Sequence, residues 1–169
     1  MGCVILLYGP KAVGKSWIAE RLQDRLGVHY LDADELILDL LAAGVEPDPD
    51  WGWLEPVFGA ATEALTRYCV ISVEATGAWD NDWKLAEDFE QACVNVLRIW
   101  IIARLEVSLE RLRLRTTRKV PTSESEARAI YRTARRNAAQ VDFDLTFDTT
   151  GQREEEKIVR AVANKLRTI

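Results

Sequence analysis

Eight residues near the amino terminus carry the most specific chemistry in the chain: Gly9-Pro10-Lys11-Ala12-Val13-Gly14-Lys15-Ser16. They fit the spacing GxxxxGK[ST], a loop that wraps around phosphate groups. Gly9 and Gly14 allow a tight bend and a close backbone approach to phosphate oxygens. The N–H groups of the loop, with the start of the following helix, would face a polyphosphate. Lys15 offers a point charge to the β- and γ-phosphates, and Ser16 offers a hydroxyl to Mg²⁺. The octet and the adjoining Trp17 are therefore the expected nucleotide site, with ATP and Mg²⁺ as the implied cofactors.

A second set of groups has the composition that phosphoryl transfer uses. Asp32 and Asp34 follow a short apolar segment, and Glu74 and Thr76 follow another. One aspartate can assist Mg²⁺ through water while the other takes a proton from an attacking hydroxyl. Asp34 is the candidate for that proton, whereas Asp32 and Glu74 compete for the metal side. Asp32 with Glu35 also reads as a helix-capping pair, D-x-x-E. Arg111, Arg113, Arg115 and Arg118 surround the expected lid, in which Thr116–Pro121 is expected to be a mobile basic loop. Ten Lys/Arg but only four Glu lie between Arg104 and Arg136. Arg111 is assigned to the adenine side, Arg115 and Arg118 to the transferred phosphate, and Arg135, with Arg136, to a completing clamp.

Elements that alternate between strand and helix must position these groups. Cys3–Tyr8 is an unbroken apolar run, as expected of a strand buried on both faces. Trp17, Ile18, Leu22 and Leu26 make one helical stripe that ends at Gly27. Further strands are expected at Val28–Leu31, Cys69–Val73, Val94–Ala103 and Phe143–Phe147. The longest, Val94–Ala103, is expected to be central. Helices are expected over about Lys15–Leu26, Glu35–Ala43, Trp53–Arg67, Asp82–Ala92 and Leu105–Arg115. Ser123-x-x-Glu126 opens another, and Ile158, Val162 and Leu166 mark the last. This alternation implies an α/β domain with a mostly parallel sheet covered on both faces. In such sheets ligands bind beyond the carboxyl ends of the strands, where the loop, the aspartates and Glu74 all fall.

Composition narrows the class. The 169 residues suit a single domain. It spans residues 1–169, with a lid over about 112–124 and an acceptor region over about 34–67. The net charge of −5 argues against a general nucleic-acid coat. No apolar stretch approaches the roughly 18 residues of a membrane span. With no leader read at Met1, a cytoplasmic location is the expectation. Cys3, Cys69 and Cys93 form no CxxC pair and are expected to be buried free thiols. His29 is the only histidine, which excludes sites built on several, and it reads as structural. The acceptor surface is expected from Asp34, Trp53, Phe58, Thr76, Gly77, Trp79 and Arg135. Trp51 and Trp83 stand nearby, and Asp80 and Asp82 add hydrogen-bonding capacity. That aromatic content points to an acceptor with a flat or apolar surface.

With these residues in place, the chain resembles the small P-loop kinases of the shikimate kinase, gluconate kinase and nucleoside-monophosphate kinase group. GPKAVGKS is similar to that group's phosphate loop, LDADEL to its paired aspartates, and LERLRLRTTRKVP to its adenine-side and lid arginines. FDLTFDTTG is similar to the adenine-side loop of shikimate kinases, which implies nucleotide contacts for Thr149 and Thr150. The resemblance implies a three-layer P-loop NTPase domain, a five-stranded parallel sheet in the order 2-3-1-4-5 and a small arginine-rich lid. Glu74-Ala75-Thr76-Gly77 replaces the Gly-Gly-Gly segment of shikimate kinases, and Trp51–Thr66 holds no basic residue; shikimate is therefore not the expected acceptor.

The expected activity is ATP- and Mg²⁺-dependent phosphoryl transfer to a hydroxyl of a small molecule, a metabolite or an antibiotic. The alternatives are a nucleoside, nucleotide or polynucleotide 5′-kinase and, in another class, a non-catalytic ATP-binding switch. Expected partners are ATP and a small hydroxylated acceptor, with no membrane and no stable nucleic-acid complex, in a monomer or homodimer.

Overall fold

The computed structural model describes residues 2–116, 120, 122–151 and 154–169. Five parallel strands, β1 (Cys3–Tyr8), β2 (His29–Leu31), β3 (Val70–Ala75), β4 (Asn95–Ile102) and β5 (Leu145–Asp148), line up in the order β2-β3-β1-β4-β5. That is the order expected from the resemblance. β4 is the longest strand, but β1 holds the centre: Cys3 stands level with Val70 of β3 and with Asn95 of β4. The expectation that Val94–Ala103 is central is corrected on this point. Strand length did not reveal rank, because β4 is nearly as apolar as β1 and both lie inside the sheet.

Among the described residues seven helices cover the two faces: α1 (Lys15–Leu26), α2 (Ala33–Ala42), α3 (Leu54–Leu65), α4 (Asp80–Gln91), α5 (Leu105–Arg113), α6 (Glu124–Ala138) and α7 (Glu155–Leu166). Every residue of β1 is buried, because its two faces feed two cores. Val4, Leu6 and Tyr8 pack with α3, α4 and α6 through Ala61, Phe89 and Ile130. Cys3, Ile5 and Leu7 pack with α1 and α7 through Ile18, Leu22 and Val162. Period-two alternation therefore separates two apolar layers rather than core from solvent, which is why β1 reads as a continuous apolar run.

Capping fixes where the helices begin. Asp32 Oδ1 accepts from the backbone N–H groups of Asp34 and Glu35 at 3.1 and 3.2 Å, so α2 starts within two residues of β2. Ser123 Oγ accepts from the Glu126 N–H while Glu126 Oε2 accepts from the Ser123 N–H, the capping box read from sequence. Of the three cysteines only Cys3 is buried; Cys69 and Cys93 are exposed. Both occupy the surface turns that lead into β3 and β4, which corrects the expectation of three buried thiols. His29 stacks on Tyr68 with ring centroids 4.0 Å apart, consistent with a structural role. Among the described residues no helix is long and apolar enough to cross a membrane.

Candidate active site

The phosphate loop joins the end of β1 to the start of α1. Gly9 is required by space: a Cβ there would lie 2.2 Å from the Ile101 carbonyl oxygen. Gly14, the residue before α1, has φ 103°, a left-handed conformation that suits glycine. Ala12 also has positive φ, at 61°, so the loop keeps one strained residue, at a cost of about 1–2 kcal/mol. Lys15 is buried, and its Nζ donates to the Gly9 and Pro10 carbonyls at 2.7 and 3.0 Å. Burial lowers its pKa to about 8, against the opposing pull of Glu74 and Asp34, while Lys11 adds to the lowering. The charged form is therefore disfavoured relative to an ordinary lysine, and a phosphate beside it would stabilise that form.

One cavity of about 660 Å³ runs from this loop across the carboxyl ends of β1 and β3. Lys11, Ala12, Gly14, Lys15, Ser16 and Trp17 line its first end, joined by Arg111 and Arg115 from α5 and the residues after it. Asp34, Trp53, Thr76 and Trp79 line the other. Lys11 Nζ lies 3.8 Å from Asp34 Oδ1, so an ion pair joins the phosphate loop to the first turn of α2. Arg111 is positioned by Thr149: Nη1 donates to Thr149 Oγ1 at 3.1 Å and Nη2 to its carbonyl at 2.5 Å. The Thr149 hydroxyl in turn donates to the Val13 carbonyl. Loop, β5 end and α5 thus share one buried junction.

A phenol missed in the sequence sits between Glu74 and Ser16. The Tyr30 hydroxyl donates a short hydrogen bond to Glu74 Oε1. Its side chain is also hydrogen-bonded to that of Ser16. Burial, then the Glu74 carboxylate, holds the phenol pKa well above the ordinary tyrosine range, so Tyr30 stays protonated and a donor. The signal was unreadable in one dimension. It depends on β2 pairing with β3, where Leu31 stands level with Val73, next to Glu74.

Ser16 and Glu74 line the cavity, whereas Asp32 is not on its lining and spends Oδ1 on the α2 N-terminus. Among the described residues no group of three His, Cys, Asp or Glu could by itself hold a metal ion. A hydroxyl and a nearby carboxylate do fit Mg²⁺ arriving on nucleotide phosphates with much of its water retained.

Several expected site residues stand elsewhere. Phe58 packs against Phe89 of α4, with ring centroids 4.9 Å apart, and faces a separate small groove beside Trp51 and Lys84. Arg135 is exposed, with its guanidinium 6.0 Å from the Tyr131 ring. It lies five residues beyond Ile130, which does reach the cavity, so the helical turn carries it to another face. Gly77 makes a turn at φ 71°; its carbonyl accepts from Asn137, and Trp83 fills the space a side chain would need. Trp83 itself stacks on Tyr8 at 4.6 Å rather than standing at the mouth. Gly9, Pro10 and Val13 shape the loop from beneath, as carbonyls that Lys15 and Thr149 engage. Thr149 is buried, and Thr150 Oγ1 accepts from the Arg104 N–H, so both threonine side chains act as struts. Arg113 is tied to Glu124 at 2.7 Å, which joins the end of α5 to the first turn of α6. Asp82 accepts from the Thr76 hydroxyl at 2.6 Å and from the N–H groups of Ala78 and Trp79 at 3.2 and 3.3 Å. Asp80 is exposed, outside the cavity. Arg118 lies outside the described residues.

No protein-family model and no curated protein sequence matches the chain. Solved structures do. A gluconokinase from Sinorhizobium meliloti 1021 superposes with TM-score 0.63 at 20% identity, covering 99% of this chain and 93% of that one. The tunicamycin resistance protein of Deinococcus radiodurans gives 0.67 at 22%, covering 98% and 96%. Shikimate kinase from Acinetobacter baumannii gives 0.63 at 16%, covering 98% and 93%. Over nearly its whole length, the chain has the fold of shikimate kinase, gluconokinase and related small P-loop kinases.

Proposed function

We propose that the protein is an ATP- and Mg²⁺-dependent kinase that transfers the γ-phosphoryl group to a hydroxyl of a small molecule. The observation that carries this reading is the single cavity with a phosphate loop at one end and Asp34 tied to that loop through Lys11. The kinase neighbours support it at the level of fold.

In this reading Lys15 and the loop amides hold the phosphates. The hydroxyl of Ser16 and the carboxylate of Glu74, steadied by Tyr30, would hold Mg²⁺, which supplies charge neutralisation between the β- and γ-phosphates. The cavity lining favours Glu74 over Asp32 for this task. Asp34 accepts the proton of the attacking hydroxyl and orients its oxygen toward the phosphorus. Arg115 extends from the stem of the lid to meet the charge that develops on the transferred group, with Arg118 as its proposed companion. Closure of the lid would exclude water, the competing nucleophile.

The test is ADP release across a panel of hydroxylated compounds, for the wild type and Asp34→Asn. Loss of acceptor-stimulated turnover by about 10²–10⁴-fold is expected, with Mg-ADP affinity kept within about twofold. Unchanged turnover would remove Asp34 from the mechanism. Slow hydrolysis that no hydroxyl compound accelerates would favour a nucleotide-dependent switch.

A further inference from the structure

We infer that the acceptor is an uncharged or cationic alcohol with a flat apolar body, and that this pocket rejects acceptors bearing a carboxylate or phosphate. The inference rests on the kinase reading and concerns the far half of the same cavity. Its walls are Ile37 from α2, Trp53 and Val57 at the start of α3, Trp79 before α4, and Ile130 from α6. Trp79 is 56% exposed although it borders a cavity. A large aromatic left uncovered at the rim of a pocket offers a face for a ring to rest on.

The charges are divided. Every described cation on the cavity lining belongs to the nucleotide half: Lys11, Lys15, Arg111 and Arg115. Lys11, nearest the acceptor, is already matched by Asp34. Among the described residues the rest of the lining holds the carboxylates of Asp34, Glu74, Asp82 and Glu126 and no further lysine or arginine. Basic residues do occur on the surrounding helices, but they point elsewhere. The Lys84 ammonium lies 5.4 Å from the Trp51 ring centroid and pairs with Asp88, on the small outer groove. Arg128 pairs with Glu124, and Arg135 leans on Tyr131. α2 and α3 contain no basic residue at all. An anionic acceptor would thus be stripped of water among carboxylates with no partner on that side among the described residues, a penalty that discriminates strongly. A neutral ring loses nothing on that count, and an ammonium gains from Glu126 and Asp82.

Three para-substituted benzyl alcohols test this, since they share the ring and the reacting hydroxyl. They carry an aminomethyl, a hydroxymethyl or a carboxylate group. Their affinities are measured by ligand-detected NMR on the full chain with saturating Mg-ADP at pH 7. The carboxylate should bind at least about tenfold more weakly than both others. Ile37→Lys should close that gap by about the same factor. Trp79→Ala should weaken the neutral and cationic compounds several-fold while leaving Mg-ADP affinity unchanged. A carboxylate that binds as well as its partners, or failure of all three to bind a protein that still takes Mg-ADP, overturns the inference and leaves the kinase reading standing. Absence of Mg-ADP binding overturns both.

Discussion

A nucleotide phosphate held by Lys15, as proposed, would make binding depend on pH in a window where an ordinary lysine would be silent. Burial in the nucleotide-free protein brings its pKa from 10.5 to about 8. In the proposed site Mg-ADP would place phosphate charge at the ammonium and return the pKa toward its ordinary value, so binding would be linked to proton uptake. About nine-tenths of the free protein carries the charged lysine at pH 7 and about one-tenth at pH 9. Affinity should therefore fall about tenfold between these values, whereas an unshifted lysine would give almost no change. Calorimetry at pH 7, 8 and 9 measures the slope directly. Repetition in two buffers of different ionisation enthalpy should show uptake of about half a proton at pH 8. Lys15→Met should bind weakly and without the slope. The same linkage gives the sign for folding. The unfolded chain binds more protons between pH 8 and 10.5, so the Lys15 contribution makes the nucleotide-free protein more stable as pH rises through that range. A wild-type affinity that stays flat from pH 7 to 9 would refute the reasoning, because it would mean that the ammonium is either fully compensated or remote from the phosphates.

Further outcomes follow from individual contacts. Tyr30→Phe removes the donor that steadies Glu74 and its link to Ser16. It should raise the Mg²⁺ concentration needed for half-maximal turnover by about tenfold and lower stability by about 1 kcal/mol. A magnesium titration at fixed ATP checks the first effect and denaturant unfolding the second. Ser72 is fully buried, and its Oγ has no hydrogen-bond partner among the described residues. Ser72→Ala should therefore stabilise the fold by about 1 kcal/mol, which scanning calorimetry would register as a rise of about 2–4 °C in Tm.

The sequence carried β1, the phosphate loop and α1 in full, because each is local. An apolar run, a glycine pair and a helical stripe are written in consecutive residues, and β1 and α1 have the bounds expected of them. Boundaries slipped where partners lie far away in the chain. β3 runs on to Ala75 because Tyr8 pairs with it there, and β5 begins at Leu145, level with Ile99. α2 begins at Ala33 rather than Glu35, since Asp32 caps it directly. Within the site, residue type was more legible than direction. Trp53 and Trp79 reach the cavity, but Trp83 turns inward onto Tyr8 and Phe58 onto Phe89. An aromatic count cannot distinguish these, because a ring's heading depends on helix phase and on what packs across from it. Tyr30 went unseen for the converse reason: nothing in its neighbourhood along the chain marks it, and its partners arrive from α1 and β3.

In the proposed reaction phosphate moves from ATP to an organic hydroxyl inside one cavity. Incubation with ATP labelled at the γ-phosphate and a panel of neutral and amino alcohols, followed by separation of products, reads the fate of the label. An acid-stable phosphomonoester of one acceptor class should form and should be lost in Asp34→Asn. Label found only as inorganic phosphate, or left on ATP with every acceptor, would contradict it.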